Sequence, residues 1–268
     1  MDKHLLDDLS FQITEIVKKA ADSVMDIYLR NEILQKTKAD GSPVTEADLT
    51  SHKVISEGLN LLPKSLPILS EEGNKTFNEK IRVFWLVDPL DGTKEFIKKT
   101  GEFTINIALI EGGKPILGIV SSPVTGELFV GMLGKGSYLI KKGVSKKIST
   151  QKMQKDLLRM TLSRSHQSIK DKNFIKRADK KFKEIKVIPA GSSLKLCRVA
   201  EGRADIYCRL GPTFQWDIAS GHAVLESAGG ILKGINGEKF KYTFEAEKKN
   251  PEFYAVGDAN YDWTELLQ

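Results

Sequence analysis

The chain has 268 residues, 40% hydrophobic and 28% charged, which is enough apolar material for a full buried core and too much for disorder. No apolar stretch approaches the ~20 residues that span a bilayer, and the acidic start MDKHLLDDLS lacks the apolar centre of a secretion signal. The net charge of +6 conceals a split: residues 141–195 hold 17 basic and 4 acidic side chains, a local +13, so the rest carries −7.

Apolar residues from Leu5 to Ile27 recur at helical spacing and predict one long amphipathic helix. Residues 43–48 (PVTEAD) predict the start of a second, with Thr45 and Asp48 spaced as a capping box and the helix running to about Leu62. RVFWLV at 82–87 predicts a buried strand, followed by DPLDGTKEF as a loop and a short helix. Segments 103–110 and 115–121, joined by EGGK, predict a hairpin, and strands follow at 127–133 and 137–141. Beyond about residue 150 the order becomes strand (158–163), helix (168–181), strand (184–189), helix (193–201) and strand (204–209). That alternation predicts an α/β unit and divides the chain into 1–150 and 151–268. Trp216 to Ala228 predicts a helix stopped by Gly229-Gly230, and Asn236-Gly237 predicts a hairpin turn.

The chemistry concentrates where the strand at 82–87 ends, in Asp88-Pro89-Leu90-Asp91-Gly92-Thr93. Pro89 stiffens the turn, so that Asp88 and Asp91 can face one point, and the Leu90 carbonyl can serve a hard cation. Gly92 permits close approach of a ligand, and Thr93 opens a helix whose free N–H groups favour an anion. Glu71 in Ser70-Glu71-Glu72 sits at or near a strand end, and Asp217 lies in the first turn of the WDIASGHAVLESAGG helix. Four gathered carboxylates would raise one another's pKa values, a cost that two or three divalent cations remove. All-oxygen ligation points to Mg²⁺ rather than zinc. The four histidines are scattered, and Cys197 and Cys208 lack partners for a zinc site; two cysteines are too few for a disulfide scaffold and, with no export signal expected, reduced thiols are expected. The aspartates stand three apart rather than two, which favours attack by activated water over a phosphoaspartate. The basic segment suits a polyanion, although a lysine-rich solvated face has the same composition. Duplex nucleic acid is not the expected partner, because the basic runs lack interleaved aromatics and a known motif.

WLVDPLDGTKEF, SEE and WDIASGHAVLESAGG resemble the signatures of the inositol monophosphatase-like, Mg²⁺-dependent, lithium-sensitive phosphatases. Within these the chain is more similar to the CysQ-type 3'(2'),5'-bisphosphate nucleotidases, through ADGSPVTEAD, SRSH, GSSLK and RLGPTFQWD. The resemblance spans about residues 38–229. It implies an α/β fold, a layered αβαβα sandwich of two lobes with the site between them. It implies one Mg²⁺ on Glu71, Asp88 and the Leu90 carbonyl, a second on Asp88, Asp91 and Asp217, and a third placed with help from Glu71. Gly92 and Thr93 would donate to the scissile phosphate, and Thr93 with Asp48 would orient and deprotonate the attacking water. His166, Gly191, Ser192, Lys195 and Arg209 would lie near the nucleotide, with Lys195 and a helix start taking the 5'-phosphate. The implied reaction converts adenosine 3',5'-bisphosphate (PAP) to AMP and phosphate, with 3'-phosphoadenosine 5'-phosphosulfate (PAPS) as a further substrate and sulfur assimilation as the setting. TKEF after DGT distinguishes this from the alternative, an inositol monophosphatase or broad sugar-phosphate phosphatase, where TTNF is more usual. A cytoplasmic location is expected. Peripheral contact with the inner face of a membrane suits the basic charge but finds no amphipathic anchor.

Overall fold

The computed structural model describes residues 3–38, 41–74, 77–162 and 169–267. Helices α1 (Lys3–Tyr28) and α2 (Glu46–Asn60) are separated by a ribbon of β1 (Gln35–Thr37) and β2 (Pro43–Thr45). Leu6, Leu9, Ile13, Val17, Ala20, Val24 and Ile27 form one buried stripe along α1, the spacing a core-facing helix requires. Thr45 caps α2: its Oγ1 accepts from the Ala47 N–H at 3.2 Å, and Asp48 Oδ2 accepts from the Thr45 N–H at 2.8 Å. Residues 43–45, expected to open the helix, form β2 instead.

Next come β3 (Ile68–Ser70), β4 (Val83–Asp91) and α3 (Thr93–Ile97). An antiparallel meander follows: β5 (Thr104–Glu111), β6 (Lys114–Ser122), β7 (Glu127–Met132), β8 (Gly136–Lys141) and β9 (Val144–Ile148). Strands β3 to β9 make one sheet in sequence order, with β3 parallel to β4 and every other pair antiparallel. Strand β9 goes beyond the predicted elements. Its VSKKI run has no apolar alternation, because it is an exposed edge whose lysines discourage further pairing.

The remaining elements are β10 (Leu157–Leu162), α4 (Ile169–Lys181), β11 (Glu184–Pro189), α5 (Leu194–Ala200), β12 (Ile206–Arg209), α6 (Gln215–Ser227), β13 (Ile231–Gly234), β14 (Phe253–Val256) and α7 (Thr264–Leu267). The second sheet has the order β11-β10-β12-β14-β13, with the first three strands mutually parallel and β14 antiparallel to both neighbours. The Asn236-Gly237 turn closes on a single bridge between Lys233 and Lys239, and β13 pairs mainly with β14.

The layers follow from which faces are apolar. Trp85, Val87, Ile105, Ile107 and Leu109 point to one side of the large sheet and pack under α1 and α2. Phe84, Leu86, Ala108 and Ile110 point to the other, into a middle layer built from α5 and α6. Beyond the second sheet, Phe174 and Ala178 of α4 and Leu266 of α7 close the last layer. The order is therefore α, β, α, β, α. Helix α6 rests directly on the large sheet because two strand positions lack side chains. A Cβ on Gly118 would lie 2.2 Å from the Ser220 carbonyl oxygen, and one on Gly131 would lie 2.4 Å from the Val224 Cα. Among the described residues no helix is long and apolar enough to cross a membrane. Cys197 and Cys208 are free and buried in different layers.

Candidate functional site

Asp88 to Asp91 form the end of β4 rather than a free loop, and Gly92 and Thr93 lead directly into α3. Asp88 pairs with Asn106 and Asp91 with Thr104, so three steps along β4 match two along β5. The extra residue is a bulge. In a regular strand residues three apart face opposite sides, whereas the bulge returns Asp88 and Asp91 to the same one. That side is the middle layer, where the first turn of α6 brings Asp217. Ser70 pairs with Val87 and the Glu71 N–H donates to the Val87 carbonyl at 3.1 Å, which sets Glu71 beside Asp88. The Ser51 hydroxyl of α2 donates to the Pro89 carbonyl at 2.7 Å and fixes the bulge from behind.

The Asp48 carboxylate is held at both oxygens. Its Oδ2 accepts from the Thr45 N–H and, at 2.6 Å, from the Thr45 hydroxyl, while Oδ1 accepts from the Thr93 hydroxyl at 3.0 Å. Thr93 Oγ1 also lies 3.4 Å from the Leu90 carbonyl oxygen. Gly92, with φ of 95°, sits in the left-handed region that glycine tolerates and N-caps α3.

The carboxylates feel one another. Burial, then the charges of Glu71, Asp91, Asp217 and Asp48, push Asp88 well above the usual carboxylate range. Burial and then Asp91 do the same to Asp217. Burial raises Asp91 against the opposing pull of Lys195 and Ser193, and raises Glu71 against the pull of Lys38. Burial also raises Asp48, with Thr45 and Thr93 opposing. Among the described residues, however, no three carboxylate, imidazole or thiolate groups already enclose an ion-sized site. Local hydrogen bonds hold the oxygens: Asp88 Oδ1 accepts from the Leu90 N–H at 3.1 Å, and Asp217 Oδ2 from the Phe214 N–H at 2.8 Å. The four carboxylates expected to converge thus lie within electrostatic range of one another rather than in closed ligand geometry.

Asp91, Gly92 and Asp217 open into a cleft of about 160 Å³, which Gly191, Ser192, Lys195 and Arg209 also line. Glu71, Asp88, Leu90, Asp48 and Thr93 are not part of that lining and connect to it through Asp91 and Gly92. His166 lies outside the described residues. Lys195 is 6% exposed, with its ammonium 5.5 Å from the centre of the Tyr207 ring. Burial, opposed by Asp91, lowers its pKa to about 8. Arg209 donates from Nη2 to the Pro212 carbonyl at 3.0 Å, while its buried Nε has no partner among the described residues. Helix α5 spans only seven residues, so the Lys195 side chain offers more to an anion than the helix end does.

Three participants were not singled out by sequence reasoning. The Lys38 ammonium bridges Glu71, at 2.7 Å, and Glu72; despite burial, which lowers it, the two carboxylates hold its pKa above the ordinary range. Asn106 and Ser193 connect β5 to the cleft floor. Asn106 carried a signal, a polar amide between Ile105 and Ile107 in an apolar run, whereas nothing in the local sequence marks Lys38.

A sequence profile described as the inositol monophosphatase family matches residues 5–258. The 3'(2'),5'-bisphosphate nucleotidase CysQ of Escherichia coli (strain K12) is 41% identical over 245 residues, 90% of this chain and 97% of its own. The protein of the same name from Buchnera aphidicola subsp. Acyrthosiphon pisum is 38% identical over 249 residues, 91% of this chain and 92% of its own. The crystal structure of CysQ from Bacteroides thetaiotaomicron, a bacterial member of the inositol monophosphatase family, matches with a TM-score of 0.82 at 34% identity, covering 93% of this chain and 97% of that one.

Proposed function

Because this chain belongs to the inositol monophosphatase family, we propose that it is a Mg²⁺-dependent 3'(2'),5'-bisphosphate nucleotidase that removes the 3'-phosphate of PAP and also acts on PAPS. One observation carries the reading: Asp91, Gly92 and Asp217 share a cleft with Lys195 and Arg209, so oxygen ligands for a hard cation adjoin two cations suited to a second phosphate. Relatives that carry this activity in their names support it. The two buried free cysteines support a reducing compartment such as the cytoplasm.

The donor set suits Mg²⁺. Its members are carboxylates and one carbonyl, they raise one another's pKa values, and Glu71 already accepts a cation in the form of the Lys38 ammonium. Glu71, Asp88, the Leu90 carbonyl, Asp91 and Asp217 would hold two or three ions. Bound Mg²⁺ supplies neutralisation of these carboxylates and withdraws charge from the phosphate oxygens. Gly92 and Thr93 would donate to the scissile phosphate. Thr93 Oγ1 can take a proton from the attacking water while passing its own to Asp48 Oδ1, 3.0 Å away. Thr45 keeps that oxygen aimed by occupying Oδ2, and burial raises the basicity of Asp48. Glu71 joins Asp48 and Thr93 in placing the water. Gly191, Ser192, Lys195 and Arg209 would receive the nucleotide, with Lys195 on the 5'-phosphate.

Phosphate release from PAP, PAPS and inositol 1-phosphate, with and without Mg²⁺ and lithium, tests the reading. PAP is expected to turn over fastest. EDTA or Asp91→Asn should cut release by more than about 100-fold, beyond what losing an outer hydrogen-bond partner costs, with the circular dichroism spectrum unchanged. Faster turnover of inositol 1-phosphate rejects the nucleotidase in favour of the inositol phosphatase. Nucleotide binding without phosphate release, undiminished by EDTA, points to a polyanion binder.

A further inference from the structure

A serine at the N-cap of a helix ordinarily turns its hydroxyl onto that helix's free N–H groups. Ser193 occupies this place in α5 and does not do so: its φ of −66° and ψ of −11° are helical, and its side chain makes no capping hydrogen bond. The hydroxyl turns to the cleft floor instead. It reaches Asp91 Oδ2 at 3.3 Å and the main-chain carbonyl of Asp217. On its other side it accepts from Asn106 Nδ2 at 3.0 Å.

Asn106 is wholly buried, at 0% exposure, in an otherwise apolar strand and directly opposite Asp88. Burying an amide is costly, and its Oδ1 has no partner among the described residues, so packing alone gives this strand no reason to hold it. Its donation has a directional consequence. A hydroxyl has one proton, and with the amide on one lone pair that proton is shared on the cleft floor between the Asp217 carbonyl, the nearer acceptor, and Asp91 Oδ2.

We propose that Asn106 and Ser193 form a positioning relay that fixes the orientation of the Asp91 carboxylate, ties it to the first turn of α6, and thereby sets the affinity of the site for its divalent cation. The proposal rests on the phosphatase reading above. Asp91 comes from β4 and Asp217 from α6, and Ser193, from a third segment, bonds to both. The Ser193 peptide N–H also bonds to Asp91, so one residue holds that carboxylate by both its main chain and its side chain. The neighbouring Ser192 acts differently: among the described residues its hydroxyl meets main-chain carbonyls, those of Asp91 at 2.9 Å and Glu102 at 3.0 Å. A ligand held by an outer hydrogen bond binds metal more tightly, and losing the outer partner costs about 10–100-fold in affinity.

The test is calorimetric titration of Mg²⁺, without nucleotide, into the wild type, Ser193→Ala, Asn106→Leu and the double variant. Melting in EDTA serves as the measure of fold. Each single substitution is expected to weaken Mg²⁺ binding by about 10-fold or more. The double should be no weaker than the worse single, because both act through one hydroxyl. Wild-type affinity in Ser193→Ala overturns the relay, and so does a double variant whose loss is the product of the two singles. If Asn106→Leu does not fold, Ser193→Ala decides alone. A wild type that binds Mg²⁺ but leaves PAP intact rejects the substrate reading only, and the relay is still judged by the Ser193→Ala affinity.

Discussion

Lys195 offers a prediction in which function and stability oppose each other. Its ammonium is buried, faces the Tyr207 ring and is only partly compensated by Asp91, so its pKa falls from 10.5 to about 8. At about 1.4 kcal/mol per pH unit, holding it charged costs the fold on the order of 3 kcal/mol. The sign follows from linkage: a lysine whose folded pKa is lowered destabilises the charged fold in full below pH about 8, and the cost fades as pH rises toward 10.5. Lys195→Met keeps the length and apolar stem and removes the charge. In EDTA at pH 7 the variant should therefore be more stable than the wild type, by up to about 3 kcal/mol. Urea unfolding at pH 7 and pH 10 measures this, and the gap should nearly close at the higher pH. Saturating AMP should narrow it at pH 7, because a phosphate stabilises only the charged lysine. A Lys195→Met protein less stable at pH 7, or a gap independent of pH, refutes the reasoning.

The remaining predictions concern rate and packing. Lys195→Ala should lower kcat/KM for PAP far more than for a small phosphate ester, and the wild-type ratio of the two should fall as pH rises through about 8; equal losses, or a flat ratio, would show that Lys195 does not read the second phosphate. Thr93→Val should cut kcat by about 10²–10⁴-fold with Mg²⁺ binding retained, and Thr93→Ser should restore most of it; single-turnover kinetics with calorimetry separate the two effects. Gly131→Ala places a Cβ 2.4 Å from the Val224 Cα and should push α6 off the sheet, costing about 1–3 kcal/mol and lowering activity by displacing Asp217; an unchanged melting curve would show that the helix has room to give.

Much of this molecule was legible in linear order. The α1 stripe, the Thr45–Asp48 capping box and the EGGK hairpin depend on residues a few positions apart, and such spacings express local geometry directly. Acidic residues at a strand end beside a glycine and a helix start likewise announce cation and phosphate chemistry without reference to distant parts. Strands β1, β2 and β9 were not legible, because short or edge strands carry no buried face to impose a period. The bulge in β4 was not legible either, since one extra residue is defined only against the partner strand β5. Tertiary structure alone decided that Lys38 meets Glu71, that Ser51 fixes the Pro89 carbonyl, and that Asn106 reaches Ser193 across 87 positions. The physical reason is common to all three. A hydrogen bond or ion pair between remote segments is set by how sheets and helices stack, and that stacking depends on every apolar face in the chain at once.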